Sequence, residues 1–264
     1  MKYFLAILII IISACTCNKN NKQAGTEGER KIDTCDSTHI ITYQQATDYM
    51  ALLLAHSPLC RRAKTIAFGG YLDSMLFFSH SMVEVPAYKF FPCYDNDSVY
   101  LAFEEIDRYK CEDTACGPDD DKYLRRSSNT FKFDRDVDYE SIQNFLESQS
   151  GDTGMVSDTI KGSDVRKYAK EFYDEYDTNN VVNHMTLCGA FSKKEVDSLL
   201  RQEYPKGTRL CKGLRYFFGY DMKRNGNKLR LILIGVKPNG ENLLRYSDGR
   251  EALMFEKNWP PDFH

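Results

Sequence analysis

Leu214-Arg215-Tyr216-Phe217-Phe218-Gly219 and Leu229-Arg230-Leu231-Ile232-Leu233-Ile234-Gly235-Val236 are the two runs on which the reading of this 264-residue chain turns. Between them stands Asp221-Met222-Lys223-Arg224-Asn225-Gly226-Asn227, and Asn-Gly between apolar runs marks a β-hairpin because both residues tolerate positive φ. The second run loses its alternation midway, which predicts a strand covered on both faces. Lys237-Pro238-Asn239-Gly240 reads as a further turn, with Pro presetting the entry and Gly permitting the exit. Leu243 to Tyr246 and Ala252 to Phe255 predict another strand or two.

Working outward, the hairpin has an earlier echo. Lys89-Phe90-Phe91-Pro92-Cys93-Tyr94-Asp95 and then Val99 to Phe103 match Tyr216-Phe217-Phe218-Gly219-Tyr220-Asp221 and then Leu229 to Val236. Upstream of each stands a comparable series. In the first, Thr42-Tyr43-Gln44-Gln45 forms a capping box ahead of the stripe Ala46, Met50, Leu53 and Leu54. Thr65-Ile66-Ala67-Phe68 follows as a strand, and Leu72-Asp73-Ser74-Met75-Leu76 as a second helix. In the second, Ser163 opens a helix with Val165, Tyr168, Ala169, Phe172, Tyr173 and Tyr176 at steps of three and four. Ala190-Phe191, the capping box Ser192-Lys193-Lys194-Glu195 and Val196 to Leu200 complete it. The expected fold is α+β: two related αβαββ units, about 42–107 and 163–238, with mainly antiparallel sheet and disulfide bracing.

The N-terminus carries a different message. Lys2 precedes an apolar run from Tyr3 to Ile12 that closes in Ile12-Ser13-Ala14-Cys15, the layout of a secretory signal. Ten helical residues span about 15 Å against a hydrocarbon core of about 30 Å, so the segment is too short to anchor a membrane protein by itself. Ile12-Ser13-Ala14-Cys15 resembles the lipobox of bacterial lipoproteins. That resemblance implies cleavage before Cys15, a diacylglycerol on its sulfur and an acylated amine, giving two or more chains and stable anchoring. Thr16 is not the aspartate that retains many such proteins in the inner membrane, so the resemblance implies the outer membrane, with the body in the periplasm or at the cell surface. The C-terminal region, about a quarter of the chain, from Arg215-Tyr216-Phe217-Phe218-Gly219 through Lys237-Pro238-Asn239-Gly240, is similar to uncharacterised envelope lipoproteins of the Bacteroidota type, a group that implies a location and a fold and no activity.

These signals divide the chain into a signal peptide at 1–14, a lipidated tether at 15–38, a first unit within 39–110, a polar insert at 111–160, and a second unit with its tail at 161–264. The tether is too polar to order itself, and about 20 flexible residues reach roughly 25 Å. In the insert, Cys111 and Cys116 precede Asp119-Asp120-Asp121, and Asp138 to Glu147 predicts a helix. Nine cysteines suit an oxidising compartment, and with Cys15 lipidated eight remain. The expected pairs are Cys188 with Cys211, Cys60 with Cys93, and Cys111 with Cys116.

Chemistry is harder to find. Net charge is −3 with no basic stripe, so the sequence points to no nucleic-acid partner. Asp119-Asp120-Asp121 and Asp95-Asn96-Asp97 offer oxygen ligands for calcium, yet no EF-hand pattern surrounds them and a solvated loop is the expectation. His184 and Cys188 stand four apart, and only distant Cys111 and Cys116 could join them on a metal. No Gly-x-Ser-x-Gly elbow, Ser-x-x-Lys set, phosphate loop or dinucleotide fingerprint occurs, and Phe68-Gly69-Gly70-Tyr71 has the wrong spacing for the last. His56, His80 and His184 are the candidate bases. The 17 Tyr and 16 Phe suit a core and a binding surface alike, and the tail Trp259 to His264 suits an extended docking segment. The expectation is a non-enzymatic, lipid-anchored envelope protein that binds a membrane through Cys15 and a protein partner through its body, without cofactor, metal or catalytic set. A periplasmic hydrolase acting on envelope polymer is the alternative.

Overall fold

The computed structural model describes residues 39–56, 65–78, 87–95, 98–106, 117–127, 130–134, 137–148, 158–176, 189–202, 211–221 and 228–259. In chain order they form β1 (His39–Ile40), α1 (Tyr43–His56), β2 (Thr65–Asp73), α2 (Met75–Phe78), β3 (Ala87–Asp95), β4 (Ser98–Ile106), β5 (Tyr123–Arg126) and β6 (Thr130–Asp134). These continue into α3 (Tyr139–Ser148), β7 (Asp158–Lys161), α4 (Gly162–Tyr176), β8 (Gly189–Ser192), α5 (Lys193–Leu200), β9 (Gly213–Asp221), β10 (Lys228–Val236) and β11 (Met254–Trp259). Among the described residues no helix is long and apolar enough to cross a membrane. The fold is α+β with antiparallel strand pairing.

Local chemistry sets the helix starts. Thr42 Oγ1 accepts the Gln45 amide at 3.2 Å while Gln45 Oε1 accepts the Thr42 amide at 2.9 Å, the reciprocal pair expected from the sequence. Ser192 and Glu195 repeat it at α5, at 3.2 and 2.7 Å. Asp138 caps α3 by accepting the Ser141 amide at 2.7 Å. One boundary differs from the expectation. Leu72 and Asp73 belong to β2, which runs through Asp73, and only Met75 to Phe78 turn helical. Asp73 is itself the stop, because its carboxylate accepts the Met75 amide at 2.8 Å and turns the chain out of the strand.

Two sheets result, ordered β1-β11-β10-β9-β2-β6 (sheet A) and β7-β5-β4-β3-β8 (sheet B). The hairpins β3–β4 and β9–β10 each pair nine residues with nine, from Asp95 opposite Ser98 and from Asp221 opposite Lys228. The strands beside them are exchanged: β2, next before β3 in the chain, pairs with β9, and β8, next before β9, pairs with β3. Ser127, just past β5, shares a 2.8 Å hydrogen bond with Tyr216 of β9 and so ties one sheet to the other. The segment 111–160, expected as an insert with little core, instead supplies β5 and β7 to sheet B, β6 to sheet A, and α3, whose Ile142 and Leu146 are buried.

Each hairpin carries a long helix. α1 lies against β9, burying Ala46, Met50, Leu53 and Leu54. α4 lies against β3, burying Val165, Ala169, Phe172 and Tyr173. The two stripes have the same spacing, and fully burying one such side chain is worth about 1.5–3 kcal/mol. The seats differ. A Cβ on Gly219 of β9 would meet Tyr49 Cβ of α1 at 2.7 Å, so α1 rests directly on the strand backbone there. The corresponding position of β3 is Cys93, two residues from the hairpin end in both cases.

Candidate functional site

Beneath α1, sheet A encloses an ion cluster. Arg230 of β10 is 2 % exposed, and its Nη2 lies 2.5 Å from Asp221 Oδ2 of β9 while Nη1 donates to both oxygens of Glu256 of β11, at 3.2 and 3.0 Å. The Tyr49 ring covers it, 5.5 Å from the guanidinium carbon. Three adjacent strands and one helix are thereby cross-tied. One cation faces two buried carboxylates, an arrangement whose geometry and added hydrogen bonds must offset a large desolvation cost.

The same face holds a second buried guanidinium. Arg215 of β9 donates to Asn242 Oδ1 at 2.6 Å and to the Gly240 carbonyl at 3.0 Å, and the Asn242 amide passes the tie to the Leu146 carbonyl of α3 at 2.9 Å. Gly240 has φ of 91°, the left-handed conformation that this turn requires. Burial brings the Arg215 guanidinium down to about 10, with the nearby Tyr71 hydroxyl acting the other way.

Sheet B places different chemistry in the corresponding positions. Tyr100 faces Cys93 across β3–β4 as Arg230 faces Gly219 across β9–β10. Arg126 stands opposite Ala102 where Glu256 stands opposite Ile232. Tyr168 of α4 takes the place of Tyr49. Arg126 is half-buried, with its guanidinium carbon 3.9 Å from the Tyr100 ring centroid. The Tyr100 hydroxyl is enclosed with no hydrogen-bond partner. Burial raises both the Tyr100 phenol and the Cys93 thiol far above their ordinary ranges, which makes Cys93 a poor nucleophile.

Comparison with known families, curated proteins and solved structures adds nothing to this geometry. No family model, curated protein or solved structure matches the chain.

The sequence-derived candidates separate on the structure. Asp119-Asp120-Asp121 is a clasp on the start of α4: Asp120 accepts from Arg166 Nε at 2.9 Å, the Pro118 carbonyl accepts from its Nη2 at 2.6 Å, and Gly162 donates to the Lys122 carbonyl at 2.7 Å. The chain passes so close that a Cβ on Gly162 would collide with the Asp119 carbonyl. Among the described residues no group of three or more His, Cys, Asp or Glu is placed to hold a metal ion. The bridges Cys60–Cys93 and Cys188–Cys211 are not formed: Cys93 and Cys211 are both buried thiols. Cys93 is shut beneath α4 among Phe91, Tyr100, Ala102 and Leu124. Cys211 is shut against Leu243 and Ala252. Cys15, Cys60, Cys111, Cys116, Cys188, Asn96, Asp97, His80, His184, the Asn225-Gly226 turn and the side chain of His56 lie outside the described residues.

The buried charges went unread in the sequence, although it carried a signal. Arg215 and Arg230 each interrupt an apolar run in a strand covered on both faces, and a buried guanidinium requires acceptors. Their partners come from β9, β11 and the 240–242 turn, and only the folded register names them.

Proposed function

We propose that this chain is a lipid-anchored protein of the bacterial envelope whose body binds a partner or ligand without catalysing a reaction. Location rests on Ile12-Ser13-Ala14-Cys15, with the outer membrane as the proposed home and the polar tether as the spacer. The observation that carries the non-catalytic reading is how the buried charges are used. Arg215, Arg230, Asp221 and Glu256 are 0–5 % exposed and tie strand to strand, where an active site would offer such groups to a substrate.

The body is proposed to consist of two related units that arose by duplication and lend each other a strand. Support comes from strand order, because β7-β5-β4-β3-β8 becomes β1-β11-β10-β9-β2 when each element is replaced by its counterpart. It comes also from sequence, because Lys89 to Asp95 and Arg215 to Asp221 then occupy the same register.

In-cell crosslinking of the full lipoprotein, followed by affinity purification and mass spectrometry, tests this reading, with Cys15→Ala as the unanchored control. Recovery of one envelope protein with the anchored form alone is the expected result. A Cys15→Ala chain that still incorporates labelled fatty acid would overturn the anchoring, and turnover of an envelope polymer by the purified protein would overturn the non-catalytic reading.

A further inference from the structure

We propose that Arg126 and Tyr100 form a carboxylate-binding site in sheet B, in which a ligand supplies the oxyanion that Glu256 supplies to Arg230 in sheet A. In both sheets a guanidinium lies against a tyrosine ring at the central hairpin, Arg230 against Tyr49 of α1 and Arg126 against Tyr100 of β4. In sheet A its charge is met by Asp221 and Glu256. In sheet B the place of Glu256 is taken by Arg126, and none of the hydrogen bonds or ion pairs among the described residues engages it.

The neighbouring acids do not fill the gap. Asp158 lies opposite Arg126 in the β5–β7 register, yet it is exposed and makes no ion pair with it. Asp95, in the place of Asp221, lies close enough for its charge to act on the Tyr100 phenol. It biases the site against a second anion, so the ligand is a single carboxylate.

The Tyr100 hydroxyl supplies an independent observation. It belongs to a side chain 1 % exposed that lies beside the Cys93 thiol and makes no geometrically sound hydrogen bond, a deficit that a bound acceptor oxygen would fill. Stacking on the Tyr100 ring fixes the guanidinium plane, leaving its paired N–H groups for bidentate contact with a carboxylate. One half of the fold thus carries its counter-ion within the chain, and the other takes it from outside.

Saturation-transfer NMR of acetate on the full lipoprotein in detergent micelles tests the site, at pH 7 and constant ionic strength with chloride as the balancing anion. Acetate is expected to saturate with a Kd on the order of millimolar, as befits one small ion pair. Arg126→Gln should weaken it about tenfold or more and Tyr100→Phe about threefold, while Asp95→Asn should tighten it. Arg126→Lys, which keeps the charge and loses the fork, should fall between wild type and Arg126→Gln and serves if Arg126→Gln fails to fold. N-acetylglycine run in parallel separates the sources, because tighter binding than acetate indicates a peptide C-terminus and equal binding a small free acid. Transfer that rises linearly with acetate, or that survives unchanged in both Arg126 variants, overturns the proposal. The result is independent of anchoring, since the Cys15→Ala chain should bind equally.

Discussion

The two hairpins and their helices share a plan and differ in where the charge is settled. Beneath α1 the cation is central, on β10, and two flanking strands neutralise it. Beneath α4 the central residue is Tyr100, and the cation has moved to the flank, where it stacks on a ring. The seat of the helix follows the same division. Gly219 lets α1 touch the strand, whereas Cys93 fills the equivalent space under α4. One side of the molecule is therefore locked by its own side chains, and the other is packed by apolar contacts around polar groups left with capacity to spare.

The comparison breaks most visibly if the locked side loses its cation. Arg230→Met leaves two buried carboxylates facing each other and should cost about 3–5 kcal/mol in urea unfolding at pH 7. Adding Asp221→Leu and Glu256→Leu should recover most of that loss, since an apolar replacement of a whole buried ion cluster is often neutral. A loss below about 1 kcal/mol for the single change would show that the cluster is not the lock.

Exchanging the seats tests the second contrast. Gly219→Cys, which copies sheet B into sheet A, drives a side chain into Tyr49 and should cost about 1–3 kcal/mol by thermal unfolding. The converse, Cys93→Gly, opens a hole beneath α4 and adds backbone freedom, and should cost a similar amount. If Gly219→Cys is neutral, α1 does not rest on the strand backbone as described.

A smaller effect sharpens the picture of α1 through pH. Burial first, and then the charge of Glu147, push the Tyr43 phenol up to about 12 from its ordinary 10.0. The folded state then holds this proton more tightly than the unfolded chain, so the contribution is fully present below pH 10 and is lost as pH rises toward 12. Tyr43→Phe should be less stable than the wild type at pH 8, and the gap between them should close across that window. A gap that stays constant would mean that the hydroxyl contact to Glu147 is not what holds the proton. The smallest effect is expected on the unlocked side: Arg126→Gln should change stability by under about 1 kcal/mol, because no ion pair is broken. A loss approaching that of Arg230→Met would erase the contrast between the halves.

Much of the fold was legible, and particular residues explain why. The caps at Thr42 and Ser192 and the stripes at 46–54 and 165–173 are local patterns, so they survive folding unchanged. The hairpin of 213–236 was legible because apolar runs and a turn sufficed. Sheet membership was not. Nothing in the order strand, helix, hairpin states that β2 leaves its own hairpin for β9, since an apolar run shows that a strand is buried and not which strand lies beside it. The segment 111–160 was underestimated for a related reason: its strands have four or five residues, and their pairing with β4 and β2 lends them a stability their composition does not advertise. The polar cluster was missed because Arg230 and Glu256 belong to different strands whose register no local pattern reveals.

The exchange of β2 and β8 also sets a timetable for the growing chain. Tyr71 must wait for Arg215, and Lys89 for Ala190, before either sheet has its neighbour. Such distant pairings carry their loop-closure cost before any contact rewards them. The first two hundred residues to be synthesised accordingly contain every strand of sheet B, whereas sheet A lacks its centre, and a chain cut short before Gly213 can lay β2 against β6 alone. Quality control of sheet A is thereby placed at the far end of the message, where synthesis of one late hairpin decides whether β1, β2 and β6 are joined into one sheet.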